Sequence, residues 1–427
     1  GVASIFLAPI LDLIILRKAF PMGYLNFKSF TDFIQAMFSL CITLPFFPMR
    51  KGLSPGLRIE IYLIILLIII YTFIKTNRIW KSLLAGYLFY LTLFVPASIT
   101  FINNHLSKLL LKISPTIFQG TGYLTATPTL VVIFFILLWI WIRILDRKIL
   151  LSIVRGFRPI RFLFYAGMLI MGIWIGLEGN LFRLYYLNFF EILSLCIGFF
   201  GLWIFAVFIN YYYDFAGDEV SGQKNPLTTN LLESARILQI AYIALLIGLL
   251  ILGTQNGSVI KSAVLFVSFS YLYSAPPARL KRFPILATAI LGLASLSGLL
   301  IGYSFVHNNI DKFPAGIAAA TVICVALGFP AKDLKDIAGD MKTGTITIPT
   351  LFGYKNGKII CAILEMLALI FIPVLAGAKS MISISVAAII AILIGGYTMF
   401  SKKFNENFSL GLTLLYCSIY AIFWHPF

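Results

Sequence analysis

Long apolar runs alternate with short polar connections along the whole chain. In the second half the runs fall near residues 162–177, 189–209, 236–253, 259–274, 284–305, 314–330, 358–377, 381–400 and 408–424. In the first half they fall near 3–16, 33–48, 58–75, 82–101 and 129–145. These lengths approach the roughly 20 residues that an α-helix needs to cross a bilayer, and they lack the short alternating segments of a barrel. The pattern predicts an all-α fold, a polytopic membrane helix bundle. Nine transmembrane helices over 151–427 are preceded by a membrane-embedded helical extension of four or five helices over 1–150. The run at 3–16 is short and contains Asp12, which suits a partial or interfacial helix. The stretch from Asn103 to Pro128, with Pro115, Gly120 and Gly122, is expected to lie across the membrane surface.

Composition agrees. Hydrophobic residues make up 60% of the chain and charged residues 11%, with a mean hydropathy of +0.97; a soluble domain carries about 25% charged residues. The net charge of +17 would suggest nucleic acid in a soluble protein. Here it reads as a basic cytoplasmic face, with no nucleic-acid partner. The five cysteines, at 41, 196, 324, 361 and 417, are scattered through apolar runs, without metal-site or disulfide spacing. The absence of transit-peptide features favours a multi-pass protein of a prokaryotic plasma membrane.

Against this background two acidic segments stand out, because only 16 of 427 residues are Asp or Glu. One reads Asn210-Tyr211-Tyr212-Tyr213-Asp214-Phe215-Ala216-Gly217-Asp218, the other Lys332-Asp333-Leu334-Lys335-Asp336-Ile337-Ala338-Gly339-Asp340. Each has polar residues four apart, at 210, 214, 218 and at 332, 336, 340. Four residues advance a helix by about 400°, so each set is expected to form one polar stripe. Clustered carboxylates in an apolar chain hold protons unless cations balance them. Oxygen ligands with only three histidines in the chain suit Mg²⁺, and Mg²⁺ suits phosphate. With nine helices the segments follow the second and sixth runs, an even number of spans apart, so both stripes face one side. Arg147, Lys148, Arg155, Arg158, Arg161, Lys224, Arg236, Lys355, Lys358, Lys402, Lys403 and the basic residues near both segments lie on that side. The opposite connections hold Arg183, Lys261, Lys312 and Lys379. The asymmetry puts the acidic side in the cytoplasm.

From about residue 150 onward the chain resembles the UbiA superfamily of intramembrane prenyltransferases. Asn210, Asp214 and Asp218 match that family's N-x-x-x-D-x-x-x-D motif. The second segment is similar to its K-D-x-x-D-x-x-G-D motif and continues through Gly344, Thr347, Pro349 and Leu351-Phe352-Gly353. Between them, Tyr271-Leu272-Tyr273-Ser274-Ala275-Pro276-Pro277-Ala278-Arg279-Leu280-Lys281-Arg282 resembles the family's tyrosine, double-proline and basic loop, in the style of chlorophyll-synthase-like and archaeal lipid prenyltransferase members. Arg158-Pro159 resembles the start of the family's first helix. Two features depart from the pattern. Tyr211 stands where an Asp is common, and Lys224-Asn225-Pro226-Leu227-Thr228-Thr229-Asn230 lacks the usual Arg and Gly. The resemblance does not extend to 1–150.

The resemblance implies Mg²⁺-dependent transfer of an isoprenyl group from its diphosphate to an aromatic or lipid-like acceptor, with membrane lipids as surroundings. Asn210, Asp214, Asp218, Asp336 and Asp340 would hold the metal, the four aspartates being the catalytic set. Lys224, Arg279, Lys281, Lys332 and Lys342 would bind diphosphate. Tyr211, Tyr213, Tyr271 and Tyr273 would offer π faces to the carbocation or the substrate. Two other readings stay open: a terpene cyclase of the same superfamily, in which the cation is captured intramolecularly, and a non-enzymatic lipid-binding or scaffold protein.

Overall fold

A computed structural model describes residues 11–14, 17, 25, 27–43, 54–113, 126–180, 187, 189–377, 381–401 and 404–423. Most of the run at 3–16, together with Pro115, Gly120, Gly122, Arg183, Lys379, Lys402 and Lys403, lies outside the described residues. Among the described residues the fold is helical, without strands. The chain divides into two units, Gly1–Leu130 with Asn188–Phe190, and Val131–Leu187 with Glu191–Phe427.

The first unit contains α1 (Phe30–Thr43), α2 (Pro55–Thr76), α3 (Ile79–Ala97) and α4 (Ile99–Ile113). Its core gathers Leu25, Phe27, Ala36, Ile65, Tyr90, Phe94 and Phe101. Ser54 caps α2 by accepting the Leu57 N–H at 3.1 Å, and the buried Asp12 accepts the Gly56 N–H at 2.7 Å. Asp12 is thus a helix-start acceptor, which explains a carboxylate in an apolar run. The division between the units falls inside α5 (Ala126–Leu145), earlier than the basic link near 150.

In the second unit the short α6 (Arg147–Gly156) leads into nine longer helices. These are α7 (Pro159–Gly176), α8 (Phe189–Val220), α9 (Ser234–Gly253), α10 (Gly257–Ser274), α11 (Pro284–His307), α12 (Ala315–Gly328), α14 (Ile348–Leu375), α15 (Met381–Phe400) and α16 (Glu406–Phe423); a short α13 (Ile337–Thr343) lies between α12 and α14. They match the nine predicted runs. Eight helices in the described residues are long and apolar enough to cross a membrane.

Local sequence sets the helix starts. Asp146 caps α6, Asn256 caps α10, and Thr347 with Thr350 forms a capping box on α14. Prolines open α7, α11 and α14, where a missing N–H does no harm. The core is aromatic and aliphatic, with Phe199, Leu202, Phe205, Phe208 and Phe266 almost wholly buried. At one crossing, α7 and α11 touch backbone to backbone: a Cβ on Gly172 would sit 1.9 Å from the Leu299 carbonyl oxygen, and one on Gly302 would sit 2.0 Å from that of Leu169. Small residues of this kind let membrane helices approach closely.

Helix α8 has 32 residues, a length of about 48 Å at 1.5 Å per residue, well beyond the roughly 30 Å hydrocarbon layer. Its surplus length carries the first acidic segment to the membrane edge.

Candidate functional site

The two acidic segments meet. Gly339 of the second packs against Gly217 and Ser221 of the first, and a Cβ at Gly339 would lie 2.7 Å from the Gly217 carbonyl oxygen and 2.1 Å from Ser221 Oγ. The contact is possible because both strings place glycine just before their last aspartate. Around it lies a cavity of about 170 Å³. Asn210, Asp214 and Asp218 line it from α8, and Asp333, Asp336 and Asp340 line it from the second segment.

The first stripe is as expected: three successive turns of a regular helix present 210, 214 and 218 to the cavity. The second is built differently. Pro330 has no N–H to continue α12, and the chain tightens into a 3₁₀ helix over Phe329–Lys335 before restarting as α13. Lys332, Asp336 and Asp340 therefore do not share one α-helical stripe, although all three line the cavity. Three residues per 3₁₀ turn instead align Asp333 with Asp336, which brings Asp333 to the cavity as well.

Each carboxylate has a neighbour that an arriving cation would have to share or replace. Asp214 accepts from Asn210 Nδ2 at 2.6 Å, pairs with Arg279 at 3.5 Å and touches the Lys281 ammonium. Asp218 accepts from Asn225 Nδ2 at 2.8 Å, and Asp336 accepts from Gln223 Nε2 at 2.5 Å. Asn225 is itself fixed, because its Oδ1 accepts the backbone N–H groups of Leu227 and Thr228 at 2.8 and 2.9 Å. The loop after α8 thus bridges both segments through two amides.

Burial raises Asp336. Burial and the carboxylates of Asp333 and Asp336 push Asp340 up to about 7. Burial and the Lys332 ammonium push Lys281 down to about 7. Among the described residues no three of His, Cys, Asp and Glu form a ready-made metal cage. The donor set still fits Mg²⁺, which keeps waters and takes only one or two carboxylates alongside substrate phosphates.

Arg279, Lys281 and Lys332 line the cavity, whereas Lys224 and Lys342 are exposed and lie outside its lining. Arg279 donates to the Tyr213 carbonyl at 2.9 Å, while its Nε is buried without a partner. That leaves a buried guanidinium N–H for an anion to satisfy. Of the four tyrosines expected at the site, only Tyr273 lines the cavity. Its hydroxyl accepts from Lys332 Nζ at 2.7 Å, so it holds a cationic side chain. Tyr211 faces the start of α7 instead: its hydroxyl donates to the Gly156 carbonyl at 2.8 Å and accepts from Arg158 Nε at 3.0 Å. Tyr213 and Tyr271 lie outside the lining. The other aromatic faces in the cavity wall belong to Tyr165, Trp203, Phe266, Phe269 and Phe329.

Sequence reasoning did not assign Arg158, Arg161, Gln223 or Asn225 to the site, yet Arg158, Arg161 and Gln223 line the cavity and Asn225 holds Asp218. Arg158 has a left-handed backbone, φ 52°, just before Pro159, and its guanidinium lies 4.6 Å from the Tyr211 ring centroid. Arg161 is fixed by Glu406 of α16 at 2.6 Å, and the same carboxylate holds Lys335 at 2.6 Å. The available signal was an Arg-Pro pair opening a run on the acidic side. Asn225 stood in the 224–230 stretch compared with the family's loop, whereas Gln223, being uncharged, gave no signal.

A family model described as the UbiA prenyltransferase family matches residues 168–408, more than half of the chain. Similar curated proteins include the chloroplastic homogentisate solanesyltransferase of Arabidopsis thaliana, 31% identical over 164 residues, covering 36% of this chain and 42% of that protein. A digeranylgeranylglyceryl phosphate synthase of Thermococcus gammatolerans is 25% identical over 175 residues, covering 40% of this chain and 60% of that protein. The chain thus spans less than two thirds of the length of either relative. Among solved structures, a UbiA homolog from Archaeoglobus fulgidus bound to GPP and Mg²⁺ aligns with a TM-score of 0.50 at 19% identity, covering 64% of this chain and 99% of that one. A likeness at that identity speaks to the fold.

Proposed function

The chain belongs to the UbiA prenyltransferase family, and from that premise we propose that it transfers an isoprenyl group from a polyprenyl diphosphate to an aromatic or lipid-like acceptor, with Mg²⁺ as cofactor. The protein is an integral, multi-pass membrane protein, and we place its site on the cytoplasmic side, where the basic connections gather. The observation that carries the reading is the shared lining: carboxylates from two segments and basic side chains from three elements face one cavity next to an aromatic wall.

In this reading Asp214, Asp218, Asp336 and Asp340, with Asn210, hold Mg²⁺. When bound, Mg²⁺ neutralises diphosphate oxygens and stabilises the charge that develops on the leaving group. Arg279 presents its unpartnered Nε to a diphosphate oxygen, and Arg158 adds a second guanidinium. Lys281, disfavoured as an ammonium by burial, regains its charge beside an arriving anion. The Lys332 ammonium is aimed by Tyr273. Trp203, Tyr165 and Phe266 wall the space beyond the diphosphate, excluding water from the allylic carbon and offering π faces to its cation. The names of the two relatives cover an aromatic and a glyceryl phosphate acceptor, and this chemistry serves either.

The test is a transfer assay with the full chain in lipid, geranylgeranyl diphosphate and Mg²⁺, offered homogentisate or a prenylated glyceryl phosphate. Asp214→Ala and Asp336→Ala are each expected to abolish product. Undiminished product from both variants would end the enzyme reading, and a cyclised product formed without acceptor would convert it to a cyclase.

A further inference from the structure

Arg158 lines the acidic cavity but not the larger, mostly apolar cavity of about 1030 Å³ among α7, α12, α14 and α16, which shares Phe329 and Lys332 with it. It sits at a junction that α8 grips residue by residue. Tyr211 Oη donates to the Gly156 carbonyl, Trp203 Nε1 donates to the Phe157 carbonyl at 2.6 Å, and Arg158 Nε donates to Tyr211 Oη. A residue with a side chain keeps a left-handed backbone only where its surroundings over-determine it, and these three bonds do so for Arg158.

Tyr211 is 3% exposed. Its one hydroxyl hydrogen is committed to Gly156, so an oxygen lone pair faces Arg158. Its ring also lies against the guanidinium. The first consequence is orientation. With Nε engaged, the four N–H groups on the two Nη atoms remain, a fork that suits phosphate oxygens. The second is charge. Arg158 forms no ion pair among the described residues. Asp218 feels its field without bonding to it.

We propose that Tyr211 is a positioning residue for the donor: it aims Arg158 at the diphosphate through a neutral hydroxyl and a π face, leaving the guanidinium its full charge. The proposal rests on the transferase reading, which supplies the diphosphate. A carboxylate at 211 would also hold the guanidinium, but would cancel the charge that draws in an anion.

The test is calorimetric titration of inorganic pyrophosphate with Mg²⁺ into the full chain in nanodiscs of zwitterionic lipid. Arg158→Gln is expected to weaken binding by about tenfold to a hundredfold, the scale of hydrogen bonds to a charged group. Tyr211→Phe keeps the ring and loses both hydroxyl bonds, and should weaken binding by about three- to tenfold. The double variant should bind as Arg158→Gln alone does, because Tyr211 acts through Arg158; a merely structural Tyr211 would give additive losses. Tyr211→Asp should weaken pyrophosphate more than Tyr211→Phe does, although it supplies an acceptor for Nε. Additive losses, undiminished binding in Tyr211→Phe or Arg158→Gln, binding by Tyr211→Asp as tight as by Tyr211→Phe, or no binding by the unaltered chain would overturn the proposal. Pyrophosphate binding needs no turnover, so a chain that shows the Tyr211 effects but transfers nothing would end the transferase reading and keep Tyr211 as the residue that aims Arg158 at an anion.

Discussion

The two acidic segments carry nearly the same short string, Asp214-Phe215-Ala216-Gly217-Asp218 and Asp336-Ile337-Ala338-Gly339-Asp340, on different supports. The first rides the last turns of one unbroken helix. The second follows a proline-interrupted 3₁₀ stretch and begins a seven-residue helix. A long helix fixes its own backbone through its hydrogen-bond ladder, although Asp214 and Asp218 are also held from outside by Arg279, Lys281 and Asn225. The short segment is fixed from outside, by Glu406 on Lys335, Tyr273 on Lys332, Gln223 on Asp336 and Gly217 against Gly339. Two sets of carboxylates that line one cavity thus differ in what holds their backbones still, and perturbations should separate them.

The largest expected effect treats the segments alike. Asp218→Ala and Asp340→Ala should each lower kcat/KM for the prenyl diphosphate by about 10²–10³-fold, the range for removing electrostatic support of a developing charge. A large disparity between them would show that one segment alone serves the chemistry. Next, Gly339→Ala should lower kcat by about tenfold to a hundredfold, because a displacement of roughly 1 Å at a site can cost 10²-fold. Ser221→Ala should restore part of the loss, since it removes the closer of the two obstructions.

Glu406→Gln should act on one segment only. It weakens the hold on Arg161 and Lys335, and hydrogen exchange should rise over 329–343 while 210–220 stays protected. Equal change in both stretches would refute the asymmetry of support. The smallest effect concerns pH. Asp340, raised to about 7 in the fold, holds its proton where the unfolded chain has lost it. The stability this gives is full below about pH 4 and lost as pH rises to about 7. Lys281, lowered to about 7, loses its proton before the unfolded chain does, so stability recovers above about 7. The Tm of the metal-free protein should dip near neutrality, and Asp340→Asn should shrink the acid limb, Asp336 keeping the remainder.

The helical architecture was legible because runs near the thickness of a bilayer have one structural solution. The first stripe was legible for the same reason: its residues belong to a regular helix. The second was not, since Pro330 changes the residues per turn and swings Asp333 inward. The tyrosine triplet misled for a geometric reason. Successive helix residues point about 100° apart, so Tyr211 and Tyr213 cannot share the direction of Asn210 and Asp214. The aromatic wall was hidden by abundance, since 39 phenylalanines leave no way to choose Phe266 or Phe329 in advance. The amides Gln223 and Asn225 carry no charge and fit no periodicity; Asn225 lay in a loop the family comparison marked, but its hold on Asp218, and Gln223 altogether, appear only in the folded loop.

Phe329 and Lys332 form a party wall. Their single 3₁₀ turn is the partition between the polar chamber that carries the acidic segments and the larger, mostly apolar chamber. Remodelling that turn disturbs both tenants at once. Substitutions that alter one chamber and spare the other have room only on the far sides, along α14 and α16 for the larger chamber and along α10 and α11 for the other.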